Sequence, residues 1–312
     1  MLTYKCDNAC RHCLYNCSPK SSDDAMSEEM IDRTMSALSK ERSLADIHFG
    51  GGECSLFFDR LLYAVRSAVK HGVQIDYLET NGGWCVDDRT AKEGFRRLRE
   101  AGLPGVLISA SLFHLEFIPL NVTKTAIRAA HKVFGGAFIW TGEVLRLMER
   151  LPDHDRKYPI QESCRLLGIN PSEGTLWQIH SYLNPCGRAA RRLTDGVLRY
   201  PVDSFAGDAC GRTFHSTSHF HIDPHGNLFT RCPGISVANV DNLHPTVDEV
   251  AAPFFMTLYR EGVIEAWKRY APEFVPDPAG YIGKCHFCLE LRSHLFEQNK
   301  FSELRPREMY KK

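Results

Sequence analysis

Cys6-Asp7-Asn8-Ala9-Cys10-Arg11-His12-Cys13 sets three cysteines in a C-x3-C-x2-C run. A cubane of four irons takes one thiolate per iron, so a loop that offers three leaves one iron open to a small chelating ligand. The spacing predicts a catalytic cluster, with a structural zinc site or buried thiols as the alternative.

The text on either side of this run sets the fold. After it, Ser27 caps a stretch with acids in its first turn and apolar residues at helical spacing. Residues 46–49 read as a short strand running into Gly50-Gly51-Gly52-Glu53, and 56–69 return to helical periodicity. The next strand, 74–79, ends in Thr80-Asn81-Gly82, and a helix over 90–101 is closed by Gly102. Strands follow at 106–110 and 137–140, with helices at 122–133, 143–151 and 161–167. With a first strand at 2–4 and a sixth at 176–183, the alternation predicts an α/β fold: a partial (β/α)6 TIM-like barrel over residues 1–190.

Beyond residue 190 the pattern changes. Residues 219–222 and 227–230 flank Asp223-Pro224-His225-Gly226, a hairpin signal foreign to parallel β-α units. A largely helical stretch over 250–267 and a proline-rich loop over 272–278 follow, and Cys285-His286-Phe287-Cys288 then opens a last helix. Residues 191–312 are expected to form a small hairpin-plus-helix domain.

Composition narrows the function classes. Lys plus Arg and Asp plus Glu number 38 each, so no basic field exists to hold nucleic acid or an anionic membrane. No apolar run approaches the roughly 20 residues that span a bilayer, and no secretory signal opens the chain. A soluble, cytoplasmic protein is expected. Its 12 cysteines fit metal ligation or reduced thiols better than disulfides. Only five residues precede Cys6, which predicts no N-terminal accessory domain.

In a parallel barrel the reactive loops gather at the C-terminal ends of the strands, where the cysteine run, the glycine run and Thr80-Asn81-Gly82 all fall. Consecutive glycines there allow close approach to the backbone. The chain thus resembles the radical S-adenosylmethionine superfamily, whose first loop carries C-x3-C-x2-C and whose second strand ends in Gly-Gly-Glu-Pro. The counterparts are Cys6, Cys10 and Cys13 with Gly51-Gly52-Glu53; Cys54 stands for the proline and His12 for the usual aromatic. By that resemblance the open iron of a 4Fe-4S cluster chelates the amino and carboxylate groups of S-adenosylmethionine (SAM). Gly50, Gly51, Gly52, Glu53, Thr80 and Asn81 would line its site, Ser109 and Ser111 would meet the ribose, and Arg188 would orient the carboxylate. The region of Ser109 lacks the acid many relatives carry. The implied chemistry is one-electron cleavage of the sulfonium to a 5'-deoxyadenosyl radical, which takes a hydrogen atom from substrate. Cys17 and His114, in loops at the barrel mouth, are the candidates for a catalytic side chain.

A second constellation is Cys210, Cys232, Cys285 and Cys288, the first two bracketing the hairpin and the last two a C-x2-C at a helix start. It resembles the SPASM and twitch extensions of the same superfamily, which implies one auxiliary 4Fe-4S cluster for electron transfer or substrate contact. A zinc held by four cysteines is the alternative. Cys17, Cys54, Cys85, Cys164 and Cys186 read as small buried hydrophobes. His215, His219, His221 and His225 suggest a metal box on paper but are expected to pack against the fold or face solvent.

The function these readings imply is an oxidoreductase or maturase acting on a peptide, such as a ribosomally made precursor, or on a small natural product. A flavodoxin or ferredoxin type protein would donate the electron, and a separate binder would present any leader peptide. The alternatives are a dehydrogenase or mutase of a small sugar or alcohol and, from another class, a non-catalytic iron-sulfur or zinc protein.

Overall fold

Four short strands, β1 (Ile47–Phe49), β2 (Ile75–Thr80), β3 (Val106–Ser109) and β4 (Phe138–Trp140), form a parallel sheet in sequence order. The computed structural model describes residues 1–180, 182–215, 219–230 and 232–311, and the side chains of all of these except Glu173 and His215. Parallel neighbours need crossovers, which here are the helices Phe58–Lys70, Asp88–Ala101 and Leu120–Phe134. The second of these shows why the sequence folds so. Asp87 caps it by accepting the Thr90 N–H, and Gly102 ends it with φ 114°. Between them Ala91, Phe95, Leu98 and Ala101 form the buried stripe, at the i, i+4, i+7 spacing of one helix face. Leu78, Val106 and Ile108 of β2 and β3 are wholly buried. The strands expected at 46–49, 74–79, 106–110 and 137–140 are therefore present, and the α/β class holds.

Two expected strands are not regular strands. Residues 2–5 form no strand of the sheet and instead hydrogen-bond with the glycine run that follows β1: Leu2 N–H donates to Gly50 O (2.8 Å), Gly52 N–H to Thr3 O (2.7 Å) and Glu53 N–H to Lys5 O (2.8 Å). The sixth strand, expected at 176–183, is instead the helix Glu173–Ile179 followed by a turn, with residue 181 outside the described residues. Ser172 caps that helix through Thr175, and Leu176 O accepts the His180 N–H at helical spacing. A capping serine overrode an apolar, aromatic run that favours strand on composition alone.

The chain divides into two compact units: Met1–Cys10 with Cys17–Pro171, and Arg11–Asn16 with Ser172–Lys312. Residues 172–190, assigned to the barrel on sequence, belong to the second unit. That unit contains the antiparallel strands β5 (His221–Ile222), β6 (Asn227–Phe229) and β7 (Ala238–Asn239), paired in that order. The hairpin turn is built on Asp223, whose buried carboxylate accepts the N–H groups of His225 and Asn227 at 2.9 Å each. The helical stretch expected over 250–267 is two helices, Pro253–Arg260 and Val263–Tyr270, broken at Gly262, where φ is 95° and a β-carbon would lie 2.8 Å from Asp208 O. They pack with the helix Lys284–Glu297 through Phe254, Leu258, Ile264, Phe287, Leu291 and Leu295. Among the described residues no helix is long and apolar enough to cross a membrane.

His180 lies wholly inside the second unit, and burial holds its imidazole below its ordinary value of 6.5, at about 4. Its Nδ1–H donates to Leu176 O (3.0 Å). Because the folded value is depressed, the unfolded chain binds a proton here first as pH falls. Stability contributed by neutral His180 is present above 6.5 and lost on descending to about 4. Urea unfolding across that window should show a steeper loss for wild type than for His180→Asn.

Candidate functional site

Glu53 is 1% exposed, and its carboxylate ties the glycine run to the end of β2. Oε1 accepts from the Ser55 N–H (3.1 Å) and the Thr80 hydroxyl (2.9 Å), and Oε2 from the Asn81 N–H (2.8 Å). Burial pushes its pKa up, against the hydrogen bonds that favour the charged form. With its oxygens committed in this way, the glycine turn offers a ligand its backbone rather than this side chain. Thr80 Oγ1 also accepts from Gly82 N–H (3.1 Å) and the Trp84 indole (3.2 Å), so Thr80 is likewise a bracing residue.

The glycines serve the chain itself. A β-carbon on Gly52 would overlap Lys5 O, and one on Gly51, where φ is 134°, would lie 2.6 Å from Thr3 O. The glycine run and the segment that leads to Cys6 lie closer than side chains permit. Cys54, standing where relatives carry proline, is fully buried and its thiol donates to Gly50 O (3.4 Å).

Cys6 and Cys10 belong to the first unit. The Asn8 N–H donates to Cys6 Sγ (3.4 Å), and Asn81 Nδ2 lies 3.9 Å from the same sulfur and 2.7 Å from Asp7 Oδ1. Burial first, and the nearby Glu53 charge second, push the Cys6 thiol pKa far up; Cys10 adds to the effect. A thiolate there needs a cation to compensate it. Asn8 is itself 3% exposed, with a buried Nδ2 that has no hydrogen-bond partner among the described residues. Thiol donors, amide groups aimed at sulfur and an unspent buried donor are the surroundings an iron-sulfur cluster uses, so these residues fit one.

Cys13 belongs to the second unit, where its carbonyl accepts the Arg188 N–H (2.9 Å). Gly187, with φ 59°, packs against the carbonyls of Cys13 and Leu14, so the turn Pro185-Cys186-Gly187-Arg188 braces the third cysteine through its backbone. Ser109 ends β3 beside Trp140 of β4, and Ser111 follows it. Both are buried, and Ser111 Oγ pairs with His114 Nδ1 (2.7 Å). Cys17 is 2% exposed, a poor position for a side chain that must reach substrate.

The second unit brings Cys210, Cys232, Cys285 and Cys288 into mutual electrostatic reach. Burial is the main cause of the raised pKa of each, to about 11 for Cys285 and about 12 for Cys288, and neighbouring sulfurs add to it in Cys232, Cys285 and Cys288. A fifth sulfur, Cys186, appears among those neighbours. Cys186, expected to be a small buried hydrophobe, is buried, yet it lies among the ligand candidates. Cys285 and Cys288 open the helix Lys284–Glu297 and share a face with Arg292, whose Nη2 lies 3.8 Å from Cys186 Sγ. An arginine four residues after the second cysteine of a C-x2-C, on an otherwise apolar helix face, was the available signal. Among the described residues no three His, Cys, Asp or Glu side chains converge as ligands of a metal ion. Of the four histidines considered as a metal box, His221 pairs with the Tyr15 hydroxyl (2.8 Å) and His225 with Glu308 (3.5 Å), while the side chain of His215 lies outside the described residues.

A parallel α/β sheet with Cys6, the glycine turn and Thr80-Asn81 joined by hydrogen bonds at one of its ends defines a class, and the family comparison agrees with it. The pattern of the Radical SAM superfamily matches residues 1–156, half of the chain, and the chain belongs to that superfamily. Membership implies a 4Fe-4S cluster and SAM as cofactors. Among solved structures, one described as native anSMEcpe with bound AdoMet is similar at 15% identity, with 95% of each chain covered and a TM-score of 0.43. No curated protein matches the chain.

The packing at Gly52 yields a direct test. Gly52→Ala should destabilise the first unit by about 1–3 kcal/mol through overpacking, read by chemical denaturation. Gly136→Ala, whose β-carbon would meet nothing within 4 Å, should stay within about 0.5 kcal/mol of wild type.

Proposed function

We propose that this protein is a radical SAM oxidoreductase or maturase that takes a hydrogen atom from a peptide or a small natural-product precursor, with one auxiliary 4Fe-4S cluster in its second unit. The observation that carries the reading is the superfamily match over the residues whose Cys6 loop, glycine turn and Thr80-Asn81 turn interlock through Glu53. When bound, the cluster and SAM supply one-electron sulfonium cleavage and the 5'-deoxyadenosyl radical.

The chain's own part is to bind and position. Cys6, Cys10 and Cys13 ligate the cluster. Asn8 and Asn81 lower the charge felt at Cys6 by directing N–H groups at its sulfur. The backbone of Gly50, Gly51, Gly52 and Glu53 receives the amino group of SAM, while Glu53 and Thr80 keep that backbone in shape. Ser109, Ser111 and Asn81 lie at neighbouring strand ends, suited to the nucleoside, and Arg188 is the candidate to orient the carboxylate. Cys210, Cys232, Cys285 and Cys288 hold the auxiliary cluster, which serves electron transfer, and a flavodoxin or ferredoxin type partner in the cytoplasm donates the electron for SAM cleavage.

Anaerobic reconstitution with iron and sulfide, then dithionite and SAM, tests this. About eight irons per chain are expected for two cubanes; about four would leave the second site to zinc. 5'-Deoxyadenosine should form, and Cys6→Ala, Cys10→Ala and Cys13→Ala should each abolish it. Retained turnover in any of these variants would refute the ligand assignment, and no turnover in the loaded wild type would favour a non-catalytic metal protein.

A further inference from the structure

Arg292 is 1% exposed and among the largest fully buried side chains of the protein. A guanidinium keeps its charge at any physiological pH, and a buried charge is costly unless an opposite charge answers it. None of its hydrogen-bond partners among the described residues is a carboxylate. Nη1 donates to Pro233 O (2.9 Å) and approaches the Tyr310 hydroxyl (3.3 Å), Nε approaches Cys288 O (3.4 Å), and Nη2 points at Cys186 Sγ (3.8 Å).

These partners are neutral while the cysteines are thiols. They surround the guanidinium with the second cysteine centre: Pro233 follows Cys232, Cys288 is one turn back on the same helix, and Cys186 is the fifth sulfur. Thiolates of these cysteines, held by a cluster, would supply the missing negative charge. Room for the guanidinium is made by Gly234, where φ is 92° and a β-carbon would lie 2.8 Å from Nη1.

We propose that Arg292 is the built-in counter-charge of the auxiliary cluster, a positioning residue that offsets the negative charge of its cysteine thiolates and thereby raises its reduction potential. The proposal rests on the auxiliary-cluster reading above. Cluster potential follows net charge and the hydrogen bonds made to sulfur. A fixed cation beside the cluster favours the reduced state, which carries one more negative charge. Arg292 therefore makes the second centre a better acceptor for an electron released by substrate.

The test is a redox titration of the reconstituted full chain, followed by electron paramagnetic resonance, with iron counted in each sample. Arg292→Gln keeps hydrogen-bond donors and removes the charge; Arg292→Lys keeps the charge and loses the fork. The Gln variant should be harder to reduce at the second cluster by tenfold or more, about 59 mV for one electron, and the Lys variant should stay near wild type. Loss of the second cluster in Gln but not in Lys supports the same charge requirement at the level of binding. Wild-type potential in the Gln variant, or equal loss of potential or cluster in both variants, overturns the proposal. About four irons in wild type would instead overturn the auxiliary-cluster reading on which it stands.

Discussion

The first unit depends on a carboxylate with almost no water around it. Glu53 reaches from the glycine turn to the end of β2 and is met by a backbone N–H on its own turn, a hydroxyl and a second backbone N–H. Desolvation works against its charge while these donors work for it. The balance binds two neighbouring strand ends at fixed spacing. The segment leading to Cys6 hydrogen-bonds to the backbone of the same turn, so the position of the first cysteine is inherited from the position of Glu53. The end of β2, the glycine turn and the segment leading to Cys6 are joined by one network of buried hydrogen bonds.

The second unit has the opposite problem, a buried positive charge. Its core is built by apolar faces of three helices, yet Arg292 sits among them with carbonyls, a tyrosine and sulfurs as neighbours. Replacing such a group by a hydrophobe of similar volume usually costs little or even stabilises. Its presence therefore points to a task other than stability, which is the basis for the counter-charge role proposed above.

Most of the fold was legible because periodicity and caps agree with tertiary packing in the first 150 residues. Asp87 and Gly102 bound their helix as their residue types require, and the four strands fall where apolar runs meet turn residues. The stretch 176–183 misled because composition cannot weigh a single Ser172 cap, and the break at Gly262 depends on its approach to Asp208, a contact far along the chain. At the site, the cysteine run and the glycine turn were legible as motifs. The roles of their members were not. Glu53 and Thr80 face inward, the Gly51 and Gly52 β-carbon positions face the chain itself, and Cys186 joins the second cysteine centre from a remote turn. Each depends on which surface meets which, information that spacing does not carry.

Gly234 shows how tightly the second centre is written into the chain. A side chain there would press on both the Arg292 guanidinium and the Tyr310 hydroxyl, on a backbone that only glycine adopts with ease. The glycine two places after the hairpin cysteine and the arginine four places after the helical cysteine are thus fitted to each other. On the counter-charge role proposed for Arg292, homologous chains should keep or discard the two together, so that the pair would mark an electrical environment that cysteine counts alone do not.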